Sequence, residues 1–187
     1  MHRNLLLSQL KTYRTSPATL PSEGRTITQF VNFIKDNPLC FERALESGHL
    51  TASCWLWNKE QSACLFTLHK KLKKWLQLGG HADGDSDLLE VAIKEGNEES
   101  GIEDLEVLSR DIFDLSIHEI PENSKEKAHL HYDVRFILQS KTNAPFIISS
   151  ESDDLKWIKL DEFSLYNLDP SILRMHAKIS FFLSKNL

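Results

Sequence analysis

A cluster of carboxylates between residues 83 and 104 is the part of the chain best suited to chemistry. It holds nine of the 27 acidic residues, and Lys94 is its only basic residue. On a helical projection with about 100° per residue, Glu95 and Glu99 fall inside or beside the apolar arc, and Glu98 falls at its edge. Carboxylates on an inward face are unfavourable unless a partner compensates their charge. Residues three and four apart share a helix face, so these three glutamates are expected to converge.

Converging like charges raise a carboxyl pKa or recruit a cation. Oxygen ligands favour Mg²⁺, Mn²⁺ or Ca²⁺ over zinc. The residues alone leave two interpretations open, namely a divalent metal site and a structural cluster neutralised by ion pairs. Asp87 and Glu90 lie on the other side of the projection and are expected to face solvent.

The spacing of these residues resembles the Nudix box, the signature of the Nudix hydrolase family. The family pattern is Gly-x5-Glu-x7-Arg-Glu-U-x-Glu-Glu-x-Gly-U, where U is an apolar residue. Six positions of the segment match it: Gly80, Glu95, Glu98, Glu99, Gly101 and Ile102. Segments 75–81 and 151–163 also resemble the family, so the resemblance covers about residues 49–187.

Three positions depart from the family pattern. Ser86 stands where the first Glu is expected, which bears on the number of metal ions. Lys94 replaces an Arg that holds a metal-binding Glu in the family; Lys keeps the charge but lacks the planar fork. Gly96 replaces an apolar residue and costs the helix about 1 kcal/mol relative to alanine.

The resemblance implies an α/β (α+β) fold, an α/β/α sandwich with a mixed central sheet. It implies hydrolysis of a pyrophosphate bond in a nucleoside diphosphate linked to another moiety, as in MutT-like enzymes. It also implies Mg²⁺ or Mn²⁺ as cofactor, held by groups of the box: Glu95, Glu98, Glu99 and the Gly80 carbonyl. The same glutamates are the candidate catalytic residues, together with Glu151 in a distal acidic loop, for which Asp154 is the competing choice.

Residues that the family pattern does not specify are candidates for substrate contact. The set is His81, His131, Asp133, Arg135 and Lys70. Three of these belong to a strand whose polar residues alternate with apolar ones, which is typical of a half-buried strand. A zinc site from His129 and His131 is not expected, because no third soft ligand stands out in the sequence.

Two other functions remain as alternatives. The first is a nucleotide-binding module that keeps the fold but has little or no turnover, for which Ser86 and Lys94 are the support. The second is an isopentenyl-diphosphate isomerase, which shares the fold. For that enzyme we find no matching Cys–Glu arrangement, since Cys54 and Cys64 lie in predicted strands.

Composition limits the class of protein. The chain has 187 residues, 41% of them hydrophobic, and a formal net charge of −5. The acidic balance argues against a nucleic-acid partner, and no apolar run reaches the roughly 18 residues that span a bilayer. Three cysteines without metal-site spacing predict reduced core thiols and a cytoplasmic location. The expected partner is a small nucleotide-type substrate, and the expected assembly is a monomer or homodimer.

The order of predicted elements divides the chain into a helical extension, residues 1–46, and a Nudix domain, residues 47–187. Within the extension we predict a helix ending near Tyr13, a second helix with a capping box at Thr26, and a short third helix over 39–45 with Gly48 as its left-handed C′ residue.

The predicted elements of the domain alternate between strands and helices. The strands are 51–57 and 63–69 as a hairpin, 75–78, 105–115, 130–139, 146–148 and 155–160. The helices are 87–100 and a C-terminal helix that begins at Asp169-Pro170, with an apolar face at Ile172, Leu173, Met175, Ile179, Phe182 and Leu183. Trp55, Trp57 and Trp157 are predicted core residues.

Overall fold

A computed structural model describes residues 2–70, 73–122, 127–148 and 152–186, although not the side chains of 180 and 182–186. The described helices are α1 (Arg3–Thr15), α2 (Gly24–Asp36), α3 (Leu88–Ser100) and α4 (Pro170–Asn186). The described strands are β1 (Gly48–Trp57), β2 (Ala63–His69), β3 (Trp75–Leu76), β4 (Leu78–His81), β5 (Leu105–Ile120), β6 (His129–Ser140) and β7 (Ser152–Lys159). Short 3₁₀ helices precede α2 and follow β7.

The strands form one mixed sheet. Its central order is β3-β2-β1-β6-β5, with β4 paired to β1 and β7 paired to β2. β1 and β6 run parallel, whereas every other pair is antiparallel. β1 therefore lies at the centre, with three neighbouring strands.

Side chains of β1 alternate between two cores, as the period of two in a strand requires. Leu50, Ala52 and Cys54 join a core with buried residues of α1, α2 and α3. Trp55 and Trp57 join a second core with α4. Helices thus cover both faces of the mixed sheet, which confirms the predicted sandwich.

Helix α3 is defined by local signals at both ends. The Asp87 carboxylate accepts a hydrogen bond from the Glu90 N–H, and Gly101 ends the helix with φ 69°, in the left-handed region. Gly96 allows close packing, because a Cβ there would lie 3.1 Å from Leu105 and 3.3 Å from Cys54. The glycine that weakens the helix therefore lets it approach the sheet.

The N-terminal segment departs from prediction at three places. Helix α2 begins at Gly24, not at a capping box on Thr26, and directly follows a 3₁₀ helix in which the Glu23 carboxylate accepts a hydrogen bond from the Leu20 N–H at 2.7 Å. Residues 39–45 form turns, not a helix. Gly48 begins β1 and is not a helix C′ residue.

Several strands differ in extent from prediction. The segment 75–81 forms two short strands, β5 continues to Ile120, and residues 146–148 are not a strand. On α4 the predicted face is partly correct, since Ile172, Met175 and Ile179 are buried but Leu173 is half exposed. Trp157 is only partly buried against the core. No helix within the described residues is both long and apolar enough to cross a bilayer.

Candidate active site

The three box glutamates lie where α3 passes the end of β4. The carboxylate of Glu95 lies against Gly80, where an added Cβ would approach its Oε2 to 2.4 Å. The Glu99 carboxylate accepts a hydrogen bond from the Gly79 N–H at 3.1 Å. Gly80 therefore allows β4 to pass close to the Glu95 carboxylate, whereas Gly79 allows the close approach of β4 to Ala52 and Ser53 of β1.

Lys94 forms ion pairs with two of these acids, Glu95 and Glu98. Its Nζ lies 3.6 Å from Glu95 Oε1 and 3.7 Å from Glu98 Oε2, and its side chain is 63% exposed. These separations exceed ordinary hydrogen-bond distances. Lys94 therefore contacts the box carboxylates but compensates them only partly.

Glu95 shows the effect of this partial compensation. Burial raises the pKa of Glu95, and Glu98 and Asp83 raise it further. Lys94 opposes the shift without reversing it. The carboxylate sits in surroundings that favour either a proton or an additional cation.

These acids border a cleft of about 480 Å³. The predicted site residues on its walls are Gly80, His81, Glu95, Glu98, Glu99, His131 and Asp133. The fold therefore brings together parts of β4, α3 and β6 that are up to about 50 positions apart in the sequence. The cleft is large enough for part of a nucleotide, since ligand sites commonly measure about 300–1,000 Å³.

Asp133 lies on the floor of the cleft with both carboxylate oxygens hydrogen bonded. Thr51 Oγ1 donates to Oδ1 at 3.0 Å, and Ser53 Oγ donates to Oδ2 at 2.7 Å. Gln77 Nε2 and Arg135 Nε also donate to Oδ2, at 3.3 and 2.7 Å. Asp133 is thus held rigidly by side chains of β1 and β6.

Arg135 lies beneath the cleft, in a position that differs from the predicted contact with substrate. Its side chain is 2% exposed, and its guanidinium pairs with Asp133 and with Asp114. The structure places it where it orients Asp133. The alternation of polar and apolar residues in β6 placed Arg135 on the polar face of the strand, but it did not indicate that Arg135 is buried beside Asp114.

A buried ion-pair network continues from Arg135 away from the cleft. Asp114 accepts hydrogen bonds from Arg174 at 2.6 Å and from Lys178 at 3.1 Å. Lys178 also contacts Glu23 at 3.0 Å and the Tyr13 hydroxyl at 2.5 Å. This network joins the N-terminal helices to β5 and α4.

Two further predicted residues are Lys70 and Glu151, and Lys70 does not line the described cleft. Lys70 is in the exposed turn after β2, and its neighbour Lys73 is ion paired with Asp153 at 2.6 Å. Glu151 lies outside the described residues. Asp154, the competing choice, accepts a hydrogen bond from the Leu155 N–H.

Histidines form a second group at the cleft that the sequence did not reveal. His118 and His69 line the cleft beside His81 and His131. His49 lies with His129 and His131, so a third ligand does stand beside the pair for which none was expected. The sequence signal that could have indicated His49 and His118 is the alternation of polar residues in two strands. These residues are His49, Thr51 and Ser53 in β1, and Asp114, Ser116 and His118 in β5.

The donor set of the box fits a hard divalent cation. It offers carboxylate oxygens and a backbone carbonyl, which are the ligands that Mg²⁺ and Mn²⁺ prefer. The raised pKa of Glu95 also shows that a cation would relieve an unfavourable environment. Glu95, Glu98, Glu99 and Gly80 are therefore suitable to hold such an ion.

The comparisons with known proteins agree with this arrangement. A family model described as the NUDIX domain matches residues 48–179. A search of curated proteins found no match.

Similar solved structures include a C. elegans Ap4A hydrolase in a binary complex, 20% identical with a TM-score of 0.52, covering 73% of this chain and 98% of that one. They include the Nudix hydrolase RenU from M. smegmatis, 16% identical with a TM-score of 0.55 and coverages of 74% and 88%. A MutT protein from Methanosarcina mazei Go1 is 17% identical, with a TM-score of 0.55 and coverages of 73% and 95%. These likenesses show the fold, and the family model spans well over half of the sequence. The chain therefore belongs to the Nudix hydrolase family.

Proposed function

We propose that this protein hydrolyses a pyrophosphate bond in a nucleoside diphosphate linked to another moiety, with Mg²⁺ or Mn²⁺ as cofactor. The observation that supports this most directly is the incompletely compensated carboxylate of Glu95, which lies beside Glu98 and Glu99 on one wall of a cleft large enough for part of a nucleotide. A divalent ion, when bound, would activate water and neutralise charge on the phosphoryl oxygens.

Each box carboxylate has a proposed role. Glu98 and Glu99 hold the ion, and the Gly79 N–H fixes one oxygen of Glu99. Glu95 orients the attacking water and accepts its proton as the water oxygen bonds to phosphorus. Its raised pKa suits this role, because a general base works best when its pKa lies near the working pH. The phosphate leaving group departs as the bridging P–O bond breaks.

The opposite wall is proposed to bind the substrate. His81 and His131 offer ring nitrogens to phosphate or ribose oxygens. Asp133, held by four donors, provides a fixed negative group suited to a ribose hydroxyl. Arg135 supports this wall by orienting Asp133. Lys70 and Glu151 remain proposals for the rim of the cleft.

The isomerase alternative is not favoured. Cys54 and Cys64 are fully buried, and burial raises the pKa of each thiol. A buried thiol with a raised pKa is a poor acid or nucleophile. A reducing compartment such as the cytoplasm is proposed because the three cysteines are buried and unpaired. The net charge of −5 supports a small-molecule partner over a nucleic acid.

We also propose that residues 1–46 act as a helical extension that stabilises the domain at 47–187. Tyr13 and Glu23 support this, because both hydrogen bond to Lys178 of α4. The assembly is proposed to be a monomer or homodimer.

A substrate screen tests the proposed reaction. Nucleoside triphosphates, nucleotide sugars, ADP-ribose, dinucleoside polyphosphates and NADH are each incubated with Mg²⁺ or Mn²⁺, and released phosphate or nucleotide is measured. Dinucleoside polyphosphates deserve inclusion because one similar structure is an Ap4A hydrolase. Metal-dependent release that is lost in Glu99→Gln supports hydrolysis. Saturable binding of a nucleotide with no release under any metal would instead support the binding module.

A further inference from the structure

Strand pairing places histidines from neighbouring strands side by side. His49 of β1 is the register partner of His131 of β6, which is the register partner of His118 of β5. His81 of β4 pairs with Thr51, two residues beyond His49. Register partners present their side chains to the same face of a sheet. Four adjacent strands therefore direct imidazoles to one region.

Two of these rings, His49 and His131, have the separation of metal ligands together with His129 of β6. One nitrogen from each of His49, His129 and His131 lies within 4.8 Å of the other two, the only such group of three or more possible ligands among the described residues. The Nε2 atoms of His129 and His131 are 3.3 Å apart. In a tetrahedral zinc site with Zn–N bonds of about 2.0–2.1 Å, ligand nitrogens are about 3.3–3.4 Å apart. The observed pair already has this spacing.

A backbone carbonyl sets the orientation of one ring. His129 Nδ1 lies 2.7 Å from the carbonyl oxygen of Lys127, which can only accept a hydrogen bond. His129 therefore donates from Nδ1, and its Nε2, which faces His131, is the nitrogen that can bind a metal ion. Histidines that bind metals commonly donate their second N–H to such a carbonyl.

The ligand set is entirely imidazole, which suits Zn²⁺ and its neighbours in the first transition row but not Mg²⁺.

An ion could reach the three rings from two sides. His131 lines the 480 Å³ cleft, whereas His49 and His129 line a second depression of about 310 Å³ beside Lys127. His81 is adjacent, with its ring centroid 5.0 Å from that of His49 and 4.9 Å from that of His131.

We propose that His49, His129 and His131 form a site for a zinc-type divalent ion, separate from the carboxylates of the Nudix box. The ion occupies the space among the three ring nitrogens and gives an otherwise acidic cleft a positive charge on its histidine side. This site does not depend on the proposed pyrophosphate hydrolysis.

Cobalt binding tests the proposal without an activity assay. The full chain is treated with a chelator, dialysed and titrated with Co²⁺ while visible absorption is recorded. We expect an intense d–d band of low-symmetry, nitrogen-ligated Co²⁺ that saturates at one equivalent. We expect equimolar Zn²⁺ to remove the band and millimolar Mg²⁺ to leave it in place.

Matched variants locate the ion. His129→Gln should weaken Zn²⁺ binding by more than the ~10–100-fold that loss of a group supporting a ligand costs. His176→Gln is the control, because His176 is on α4 and its ring packs against Phe163, away from the histidine cluster. Glu98→Gln should leave the Co²⁺ band unchanged. Circular dichroism of each variant establishes that it is folded.

Three results would overturn the site. They are the absence of the band in the wild-type chain, equal Zn²⁺ affinities for wild type and folded His129→Gln, and loss of the band in Glu98→Gln. The last would place the ion at the carboxylates. If His129→Gln does not fold, the presence or absence of the Co²⁺ band in the wild-type chain decides whether the site exists.

Discussion

Two regions of this protein contain several carboxylates, and they differ in how many cations pair with those carboxylates. In the buried network, the three carboxylates of Glu23, Asp114 and Asp133 face the three cations of Arg135, Arg174 and Lys178. On α3, Glu95 and Glu98 share the partly exposed Lys94. Equal numbers of opposite charges in the network produce a structural support, whereas two carboxylates that share one exposed cation at a cleft produce a candidate metal site.

The pKa shifts show the same contrast. Burial by itself would raise the pKa of Asp114, but the hydrogen bond from Arg174 and the charges around it lower the value below its ordinary range. Burial raises the pKa of Glu95, and Lys94 does not reverse the shift. Burial is common to both regions, so the difference arises from how many cations each carboxylate contacts.

The strongest test of the acidic region is Glu99→Gln. The change keeps the shape of the side chain but removes its charge, so we expect turnover to fall about 10²–10⁴-fold while the fold is retained. Steady-state kinetics at saturating Mg²⁺ and a thermal melt measure the two effects. Near-normal kcat would exclude a metal-ligand role for Glu99.

The strongest test of the compensated region is Lys178→Met. This side chain is fully buried, and its loss leaves Asp114 and Glu23 with one cation fewer. We expect the free energy of unfolding to fall by about 3–5 kcal/mol, since removing one partner leaves a buried charge uncompensated. Denaturant titration measures it.

Lys73→Met is the control for that measurement. Lys73 forms an ion pair with Asp153 at the surface, where such pairs contribute about 0–1 kcal/mol. Equal losses for the two variants would mean that the buried network contributes no more than a surface pair.

Divalent metal should stabilise the protein by binding to the glutamates of α3, and this effect should not depend on the buried ion-pair network. A ligand that binds only the folded state adds about 2.7 kcal/mol at a hundredfold excess over Kd. We therefore expect millimolar Mg²⁺ or Mn²⁺ to raise the melting temperature of the wild type, and less so that of Glu98→Gln. If Lys178→Met lost the increase as well while remaining folded, the two regions would not be independent.

The smallest expected effect concerns Lys94. Its distances of 3.6 and 3.7 Å to two box carboxylates indicate that it helps to position them. We expect Lys94→Met to lower metal affinity about 10–100-fold, as losses of groups that support ligands do. Lys94→Arg should keep or improve the affinity, because Arg forms a bidentate pair. Identical Mn²⁺ affinities for wild type and Lys94→Met would show that Lys94 is only a surface charge.

Local signals were sufficient for the acidic region. Its glutamates lie on a single helix, so a period of 3.6 residues placed Glu95 and Glu99 inward before any tertiary contact was known. Asp87 and Gly101 begin and end that helix. The predicted strand at Ala63–His69 and the helix that begins at Asp169-Pro170 are also confirmed, since each depends on turn and capping residues adjacent in the chain.

Local sequence patterns gave wrong secondary structure where a segment forms hydrogen bonds or ion pairs with residues of another segment. Residues 39–45 have a helical pattern, but the Leu50 N–H donates to the carbonyl of Cys40 at 2.7 Å, which ties the segment to the start of β1. No capping box forms at Thr26; the Glu23 carboxylate instead accepts a hydrogen bond from the Leu20 N–H and pairs with Lys178, 155 positions further along the chain. A local sequence window does not contain Lys178.

The sequence by itself therefore determined the inward glutamates, because these follow from spacing within one helix. The resemblance of that spacing to the Nudix box implied the family and, with it, the sandwich of helices about a mixed sheet. Only the tertiary structure decided that Arg135 is buried against Asp114 and that His49 joins His129 and His131. The parallel pairing of β1 with β6 aligns residues 82 positions apart, as at His49 and His131. No local periodicity encodes that register, because it is set by the packing of the whole sheet between its two cores.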